Sequence, residues 1–187
     1  MGKPEYWLKD DFLPEQTAKS LLTQLIKDID WRQETISMFG KTINMPRLQA
    51  FMGDGGIEYS YSKLTMTAEA WHPELIKLKG KIEDLTGNTF NSALINYYRN
   101  GQDSMSWHQD NEHELGKKPI IASLSLGATR KFVLRHIESR EKHELQLHSG
   151  SLLWMGPTLQ SAWQHSLPKS KVIEEPRINI TFRQIKY

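Results

Sequence analysis

His108, Asp110 and His165 are the residues of this chain whose types and spacing best suit a metal ion. Side chains two positions apart on a strand point to the same face, so we predict that the His108 imidazole and the Asp110 carboxylate lie side by side. His165, from a distant strand, would add a third ligand on that side of the metal. Two histidines and one carboxylate form the facial ligand set of non-haem Fe(II) centres, which leaves open positions for a cosubstrate and O₂. The pattern therefore predicts an oxygen-activating iron site, although a His-x-Asp pair alone usually marks a capped turn.

Two arginines near the end of the sequence could bind a carboxylate. Residues 176–183 are typical of a strand, and the alternate side chains on one of its faces are Arg177, Asn179, Thr181 and Arg183. A guanidinium offers planar, bidentate donors to a carboxylate, and Asn96 and Tyr98 supply further polar groups shortly before His108. We therefore predict a site for a dicarboxylate such as 2-oxoglutarate. The alternative is that Arg183 is a surface cation on an edge strand.

The composition is that of a single folded domain. With 187 residues, of which 38% are hydrophobic and 25% charged, the chain can bury one core and is too short for two ordinary domains. It has no cysteine, so a metal must be held by nitrogen and oxygen. The net charge of +2 permits a nucleic-acid partner without requiring one.

The hydropathy pattern bears on where the protein works. No apolar run approaches the length of a membrane span, and the first residues lack an apolar signal region. We therefore expect an intracellular protein without membrane association, in the cytoplasm or nucleoid of a bacterium or in the nucleus of a eukaryote. We also expect a monomer.

Hydrophobic periodicity predicts helices first and strands later. Apolar stripes at helical spacing indicate helices over residues 14–29 and 73–86, the second ending at Gly87. We read residues 31–56 as irregular. From residue 89 onward, short β-rich runs cover residues 90–98, 120–126, 131–136, 143–148, 151–155 and 178–185. This order predicts an α+β fold with N-terminal supporting helices and two facing sheets, a jelly roll or double-stranded β-helix.

The order of the polar motifs resembles that of the AlkB family of Fe(II)/2-oxoglutarate-dependent dioxygenases, and in particular its branch that repairs duplex DNA. The matching motifs are Asn96-x-Tyr98, His108-x-Asp110, His165 and Arg177-x₅-Arg183, and the likeness runs roughly from residue 39 to the end. The resemblance implies that His108, Asp110 and His165 bind the catalytic Fe(II). It also implies that 2-oxoglutarate is bound by Asn96, Tyr98, Arg177, Thr181 and Arg183.

The resemblance further implies an activity and a domain plan. The activity is oxidative demethylation of 1-methyladenine and 3-methylcytosine in DNA, a direct-reversal repair that uses Fe(II), O₂ and 2-oxoglutarate and releases succinate, CO₂ and formaldehyde. The plan is one dioxygenase domain over residues 1–187. In it, about residues 1–88 form the helices and a nucleotide-recognition lid, and about residues 89–187 form the jelly-roll core.

Three residues match the part of the family that holds a damaged base extruded from the helix. Glu112 matches an acidic residue beside the pocket, which suits 1-methyladenine and 3-methylcytosine because both bases are cationic. Tyr61 would stack on the base, with the His108 ring on the other face, and Tyr59 would contact the nucleotide. The alternatives are a solvated Glu112 and two ordinary sheet tyrosines.

A second group of residues matches the segment that grips the DNA. Phe39, Gly40 and Lys41 resemble a finger loop whose apolar side chain fills the gap left by the extruded base. Arg47 is a candidate phosphate contact. The alternatives are that Phe39 packs over the core and that Arg47 is one exposed cation among many.

Three interpretations of function therefore remain open. The first is repair of alkylated DNA, preferably duplex DNA, and the second is the same chemistry on RNA or on single strands. The third is a non-enzymatic jelly-roll module that binds nucleic acid or protein. The complete set of metal ligands favours the two enzymatic interpretations over the third.

Overall fold

Strands contribute more residues than helices to the part of the chain that the computed structural model describes, residues 3–38, 41–61 and 64–186. Three α-helices accompany them, together with one short 3-10 helix at His113–Leu115. The first half contains β1 (Tyr6–Lys9), α1 (Glu15–Asp28), β2 (Thr35–Met38), β3 (Lys41–Asn44), β4 (Leu48–Gly53), β5 (Glu58–Tyr61), β6 (Leu64–Thr67) and α2 (Pro73–Thr86). The second half contains β7 (Ser92–Tyr98), β8 (Met105–His108), β9 (Ile121–Gly127), β10 (Arg130–His136), β11 (Lys142–Leu147), β12 (Leu152–Met155), α3 (Pro157–Ala162), β13 (Trp163–Leu167) and β14 (Arg177–Arg183). The side chains of Ser37, Met38, Lys41, Tyr61 and Leu64 lie outside the description.

Two antiparallel sheets form the body of the molecule. The larger has six strands in the order β1-β12-β9-β14-β7-β4, and the smaller has four in the order β11-β10-β13-β8. Two separate hairpins, β2–β3 and β5–β6, lie outside both sheets. The prediction of an α+β jelly roll is confirmed.

The side chains of β14 show how one strand serves both the core and the site. Ile178, Ile180 and Phe182 are fully buried in the apolar cluster that also contains the inward stripes of α1 and α2. The residues between them point to the opposite face, because side chains alternate across a strand. That face lies between the two sheets, where a second apolar cluster surrounds the polar cavity described below.

Both predicted helices are confirmed. In α2, Pro73 occupies the first turn, the His72 Nδ1 atom accepts from the Glu74 N–H at 3.2 Å, and Gly87 ends the helix with a φ of 66°. Glycine adopts that left-handed conformation without steric cost. The helices pack on the six-stranded sheet through their buried leucines and isoleucines, as the helical spacing of these residues indicated.

The prediction that residues 31–56 are irregular is wrong. This stretch contains β2, β3 and β4, and β4 pairs with β7 in the six-stranded sheet. Residues 49–53 of β4 are all buried, so the strand lacks the alternation of apolar and polar residues that marks a half-exposed strand. Strands β8 and β13 were expected only as the strands that carry His108 and His165, without bounds, and helix α3 was not predicted. All three are only four to six residues long.

The predicted division near residue 88 stays a prediction. Strands β1 and β4 precede that point and nevertheless pair within the six-stranded sheet, with β12 and β7 respectively. Within the described residues, no helix combines the length and the apolar character that crossing a membrane requires.

Candidate active site

The three metal-ligand candidates meet at one end of the smaller sheet. His108 ends β8, and His165 lies directly opposite it on β13, with the ring centroids 4.1 Å apart. The Asp110 Oδ2 atom is 3.4 Å from the His165 Nε2 atom. One ligand atom from each of the three residues lies within 4.8 Å of the others. Such a cluster of two imidazoles and one carboxylate can hold one metal ion.

Asp110 is held beside the two histidines by contacts that the sequence did not predict. Strand β8 ends at His108, so Asp110 lies in a bend and not on the strand face shared with His108. Its backbone N–H donates to the Gln160 Oε1 atom at 3.1 Å, and its Oδ1 atom accepts from the Arg183 Nη2 atom at 2.5 Å. The expectation of a shared strand face is therefore wrong, although the residue assignment holds.

Neighbouring positive charge keeps the Asp110 carboxylate ionised despite its burial. Burial alone raises the pKa of Asp110, but the positive charge of Arg183, with smaller contributions from His165 and His108, brings it well below its usual range. Burial and the neighbouring His165 lower the pKa of His108 to about 3. The His108 Nδ1 atom lies 2.8 Å from the Ser106 carbonyl oxygen, so a neutral ring donates there and presents its Nε2 lone pair.

The donor set fits Fe(II). Neutral imidazole nitrogen and carboxylate oxygen are ligands that this ion accepts, and three of them on one side leave positions free for a cosubstrate and O₂. The three ligand residues are held on separate pieces of structure: the end of β8, the bend after it, and β13. His108, Asp110 and His165 would therefore hold the iron.

A cavity between the two sheets opens beside this cluster. Its polar wall is formed mainly by the inner faces of β7 and β14, with Asn96, Tyr98, Ser123, Arg177, Asn179, Thr181 and Arg183. Its apolar wall includes Leu94, Met105, Phe132, Leu147, Met155 and Leu167. A cavity of this kind suits a small polar ligand whose ends are bound and whose middle is shielded from water.

Arg177 provides a buried positive charge at the end of the cavity away from Asp110. It is 2% exposed, its Nη2 atom donates to the Ser125 hydroxyl at 3.0 Å, and its guanidinium carbon lies 5.3 Å from the Tyr98 ring centroid. Among the described residues no carboxylate pairs with it, and its Nε atom has no hydrogen-bond partner. Burial lowers its pKa to about 10, so the group stays charged at neutral pH. A carboxylate ligand would pair with this guanidinium, and the distal carboxylate of 2-oxoglutarate is such a ligand.

The structure separates the two arginines that the sequence predicted as one receptor. Arg177 and Arg183 share a face of β14, but six residues of strand place them roughly 20 Å apart. Arg183 pairs with the metal-ligand candidate Asp110. The role of Arg183 in binding 2-oxoglutarate stays a prediction, and its position restricts it to the end of the cosubstrate nearest the metal.

Two side chains orient Asn96: Gln49 of β4, and Arg47 just before that strand. Its Oδ1 atom accepts from the Arg47 Nε atom and from the Gln49 Nε2 atom, each at 2.9 Å. An arginine can only donate, so the Asn96 NH₂ group must point away from Arg47. Thr181 donates to the Asn179 Oδ1 atom at 3.1 Å, and Asn179 in turn donates to Ser123.

The substrate candidates fall into different places. Arg47 is buried, with its guanidinium on Asn96 and on the Ser104 carbonyl, so this placement favours an internal role over a phosphate contact. Tyr59 is also buried, with its ring centroid 5.0 Å from the Arg183 guanidinium carbon. Glu112 lies close to Arg183 and Tyr59, and burial raises its pKa.

The remaining candidates fall on parts of the chain that are not described. Phe39 and Gly40 lie outside the described residues, between the paired strands β2 and β3. Lys41 and Tyr61 lie within strands, but their side chains are outside the description. Their roles stay predictions.

Sequence reasoning placed Asn179 on the polar face of β14 without giving it a role of its own, and it missed Gln49 and Gln160. Asn179 carried a usable signal, because it shares the alternate positions of β14 with Arg177 and Thr181. Gln49 and Gln160 carried none, since each reaches its partner from more than forty positions away along the chain.

Comparison with known proteins defines the class. The chain matches the family described as the 2OG-Fe(II) oxygenase superfamily over residues 6–183, and it belongs to that family. Membership implies Fe(II), 2-oxoglutarate and O₂, which agrees with the donor set and with the buried Arg177 guanidinium in the cavity.

Similar proteins within that family include AlkB homologues. The chain is 43% identical to human alpha-ketoglutarate-dependent dioxygenase alkB homolog 3, over 98% of this chain and 67% of that protein. It is 39% identical to human DNA oxidative demethylase ALKBH2, over 90% of this chain and 69% of that protein. It spans 64% of the length of the bovine alkB homolog 3, to which it is 43% identical. The predicted resemblance to the AlkB family, close to homologue 2, is confirmed.

Solved structures support the fold. The structure of OsALKBH1 superimposes with a TM-score of 0.67 at 15% identity and covers 98% of this chain and 100% of that one. A prolyl-4-hydroxylase from Pseudomonas putida superimposes with a TM-score of 0.65 at 11% identity and covers 98% of this chain and 94% of that one. At these identities the likeness shows the shared jelly roll alone.

Proposed function

We propose that this protein is an Fe(II)/2-oxoglutarate-dependent dioxygenase that demethylates 1-methyladenine and 3-methylcytosine in DNA. The observation that carries the proposal is that a His108–Asp110–His165 cluster adjoins a cavity lined by the buried guanidinium of Arg177, which has no carboxylate partner among the described residues. The first element suits iron and the second suits a cosubstrate carboxylate. Relatives named DNA oxidative demethylase support nucleic acid as the substrate.

The protein binds and orients the reactants, and the cofactor carries the oxidation. When bound, Fe(II) with 2-oxoglutarate and O₂ hydroxylates an N-methyl group, which leaves as formaldehyde, while 2-oxoglutarate is converted to succinate and CO₂. Arg177 would bind the distal carboxylate of the cosubstrate. The Asn96 NH₂ group, which points away from Arg47, would donate to the cosubstrate. The apolar wall, with Leu94 and Phe132, limits access of water to the reacting groups.

Preference for a cationic base would come from Glu112. Its carboxylate lies close to Arg183 and Asp110, and it can attract the positive charge of a methylated adenine or cytosine. The hairpins β2–β3 and β5–β6 stand outside the two main sheets and are suited to cover a nucleotide. The resemblance at Phe39, Gly40 and Lys41 supports duplex DNA as the preferred substrate.

The experiment that tests this function measures base repair directly. Oligonucleotides with a single 1-methyladenine, as duplex DNA, single-stranded DNA and RNA, are incubated with protein, Fe(II), 2-oxoglutarate and ascorbate, and their masses are recorded. We expect loss of the methyl group with equimolar succinate, fastest for duplex DNA, and none with Asp110→Ala. If RNA is repaired fastest, RNA would replace duplex DNA as the proposed substrate. Binding without turnover by the wild-type protein would favour the non-enzymatic module.

A further inference from the structure

Gln160 connects the helix before His165 with the bend that holds Asp110. It is 1% exposed and lies in α3. Its Oε1 atom accepts from the Asp110 backbone N–H at 3.1 Å, and its backbone oxygen accepts from the Gln109 side-chain amide at 2.9 Å. One buried residue of α3 therefore contacts two consecutive residues about fifty positions earlier in the chain.

Asp110 needs this support because it is not part of a strand. It follows the last residue of β8, and the pairing of β8 with β13 already shifts register between His165 and Leu167. A residue in a bend lacks the ladder hydrogen bonds that fix the direction of a strand side chain. The bond to Gln160 supplies a fixed point for the Asp110 backbone immediately beside the ligand cluster.

The two carboxylate oxygens of Asp110 have different partners. Oδ1 accepts from the Arg183 Nη2 atom at 2.5 Å, while Oδ2 faces the His165 Nε2 atom at 3.4 Å. Arg183 therefore restricts rotation of the carboxylate, and Gln160 restricts the backbone that carries it. Together the two contacts hold Asp110 with its Oδ2 atom facing His165, the second of the three ligand candidates.

We propose that Gln160 is a positioning residue for the metal site and sets the placement of the Asp110 ligand relative to His165. Helix α3 ends at Ala162 and β13 begins at Trp163, so Gln160 is only five residues before His165 along the chain. The hydrogen bond from the Asp110 N–H thus ties one ligand to the element that carries another. Such contacts to residues behind a metal ligand typically contribute tenfold to a hundredfold in metal affinity.

Only the acceptor atom of the Gln160 side chain is used for this contact. The Nε2 atom is buried and has no hydrogen-bond partner among the described residues. Replacing the side chain by methionine keeps its length and removes the acceptor, without breaking a bond made by Nε2. The backbone oxygen that accepts from Gln109 is retained in every variant.

The test compares Gln160→Met with Gln164→Met. Gln164 lies in β13 beside His165, and its Oε1 atom accepts from the Arg135 Nη2 atom at 2.8 Å, away from Asp110. Both variants thus lose a glutamine acceptor next to the metal site, but only one loses contact with a ligand residue. Co(II) alone, added to metal-free protein, is the probe, because calorimetry gives its affinity and its visible absorption reports the coordination geometry.

We expect Gln160→Met to bind Co(II) about tenfold more weakly than wild type with a changed absorption spectrum, and Gln164→Met to stay within about twofold. Unchanged affinity and spectrum in Gln160→Met, with only a lower melting temperature, would show a structural role and overturn the inference. If Gln160→Met does not fold, Gln160→Asn withdraws the acceptor by one methylene and the same two results apply.

The inference rests on the metal site of the proposed function, and the two can fail separately. A wild-type protein that binds no Co(II) would reject the metal site and this inference with it. A wild-type protein that binds Co(II) but repairs no methylated base would reject only the proposed substrate.

Discussion

The guanidinium of Arg183 and the carboxylate of Asp110 form a buried ion pair, with Nη2 and Oδ1 2.5 Å apart and both side chains at most 3% exposed. The pair joins the last strand of the larger sheet to the bend beside the smaller one. It places Arg183 at the metal end of the cavity and leaves Arg177 as the group that can bind a distal carboxylate. The different roles that we propose for Arg177 and Arg183 follow from this contact.

Replacing Arg183 by methionine should destabilise the metal-free protein by about 3–5 kcal/mol at neutral pH, because it leaves the Asp110 charge buried and unpaired. The pKa of Asp110 is depressed in the folded protein, so the ionised carboxylate stabilises the wild type above its unfolded pKa of about 3.9, and this contribution is lost as the pH falls. In the variant, burial without Arg183 raises the pKa of Asp110, so the difference in the free energy of unfolding should begin to narrow above about pH 4 and keep narrowing as the pH falls.

Urea unfolding across a pH series checks this prediction, with Lys131→Met as the control. Lys131 forms an exposed ion pair with Glu144 at 2.8 Å, so its loss should cost at most about 1 kcal/mol. Equal destabilisation in the two variants would contradict the importance of the buried pair.

Glu112 gives the opposite pH dependence. Burial raises its pKa in the folded protein, so its ionised form destabilises that state, and the cost grows as the pH rises through the raised value. In the metal-free protein, Glu112→Gln should match the wild type at low pH and become the more stable of the two at neutral pH. Urea unfolding measures the stability difference between the two proteins. A difference that does not vary with pH would argue against a Glu112 carboxylate whose ionised form destabilises the fold.

Arg177→Met should raise the 2-oxoglutarate concentration for half-maximal turnover by about tenfold to a hundredfold, which corresponds to the loss of a charged hydrogen bond. The variant should be at least as stable as the wild type, because an unpaired buried charge is removed. Arg135→Met is the control, since Arg135 stacks on Trp107 and does not line the cavity. An unchanged half-saturation in Arg177→Met would remove this residue from the cosubstrate site.

The sequence predicted which residues belong to the site better than it predicted the contacts that hold them in place. Alternation along β14 placed Arg177 and Arg183 on one face, because side-chain direction in a strand is a local property. The same reasoning failed for Asp110, where the strand ends at His108 and a contact with Gln160 takes over. That contact joins residues fifty positions apart, and no local pattern encodes it.

Buried strands were the other source of error. β4 is buried over most of its length and so shows no alternation, which made it look like part of an irregular segment. The two long helices were predicted well, and in α2 the reason is that Leu75, Leu78 and Ile82 form a stripe on one face.

Phe39 carries the prediction about the form of DNA. If its side chain fills the gap left by an extruded base, Phe39→Ala should slow repair of duplex DNA much more than repair of a single strand, since only the duplex pays roughly a few kcal/mol for unstacking and unpairing. The two substrates must carry the same lesion in the same sequence at one salt concentration. Equal slowing of both would identify Phe39 as a packing residue.

The most direct test of the whole account is an anaerobic absorption titration of the Fe(II)-loaded protein with 2-oxoglutarate. If His108, Asp110 and His165 hold the iron and the cavity holds the cosubstrate, a visible metal-to-ligand charge-transfer band should grow and saturate with added 2-oxoglutarate. The band should be absent in Asp110→Ala and should require higher concentrations in Arg177→Met. A wild-type protein that takes up Fe(II) and develops no such band would contradict the account.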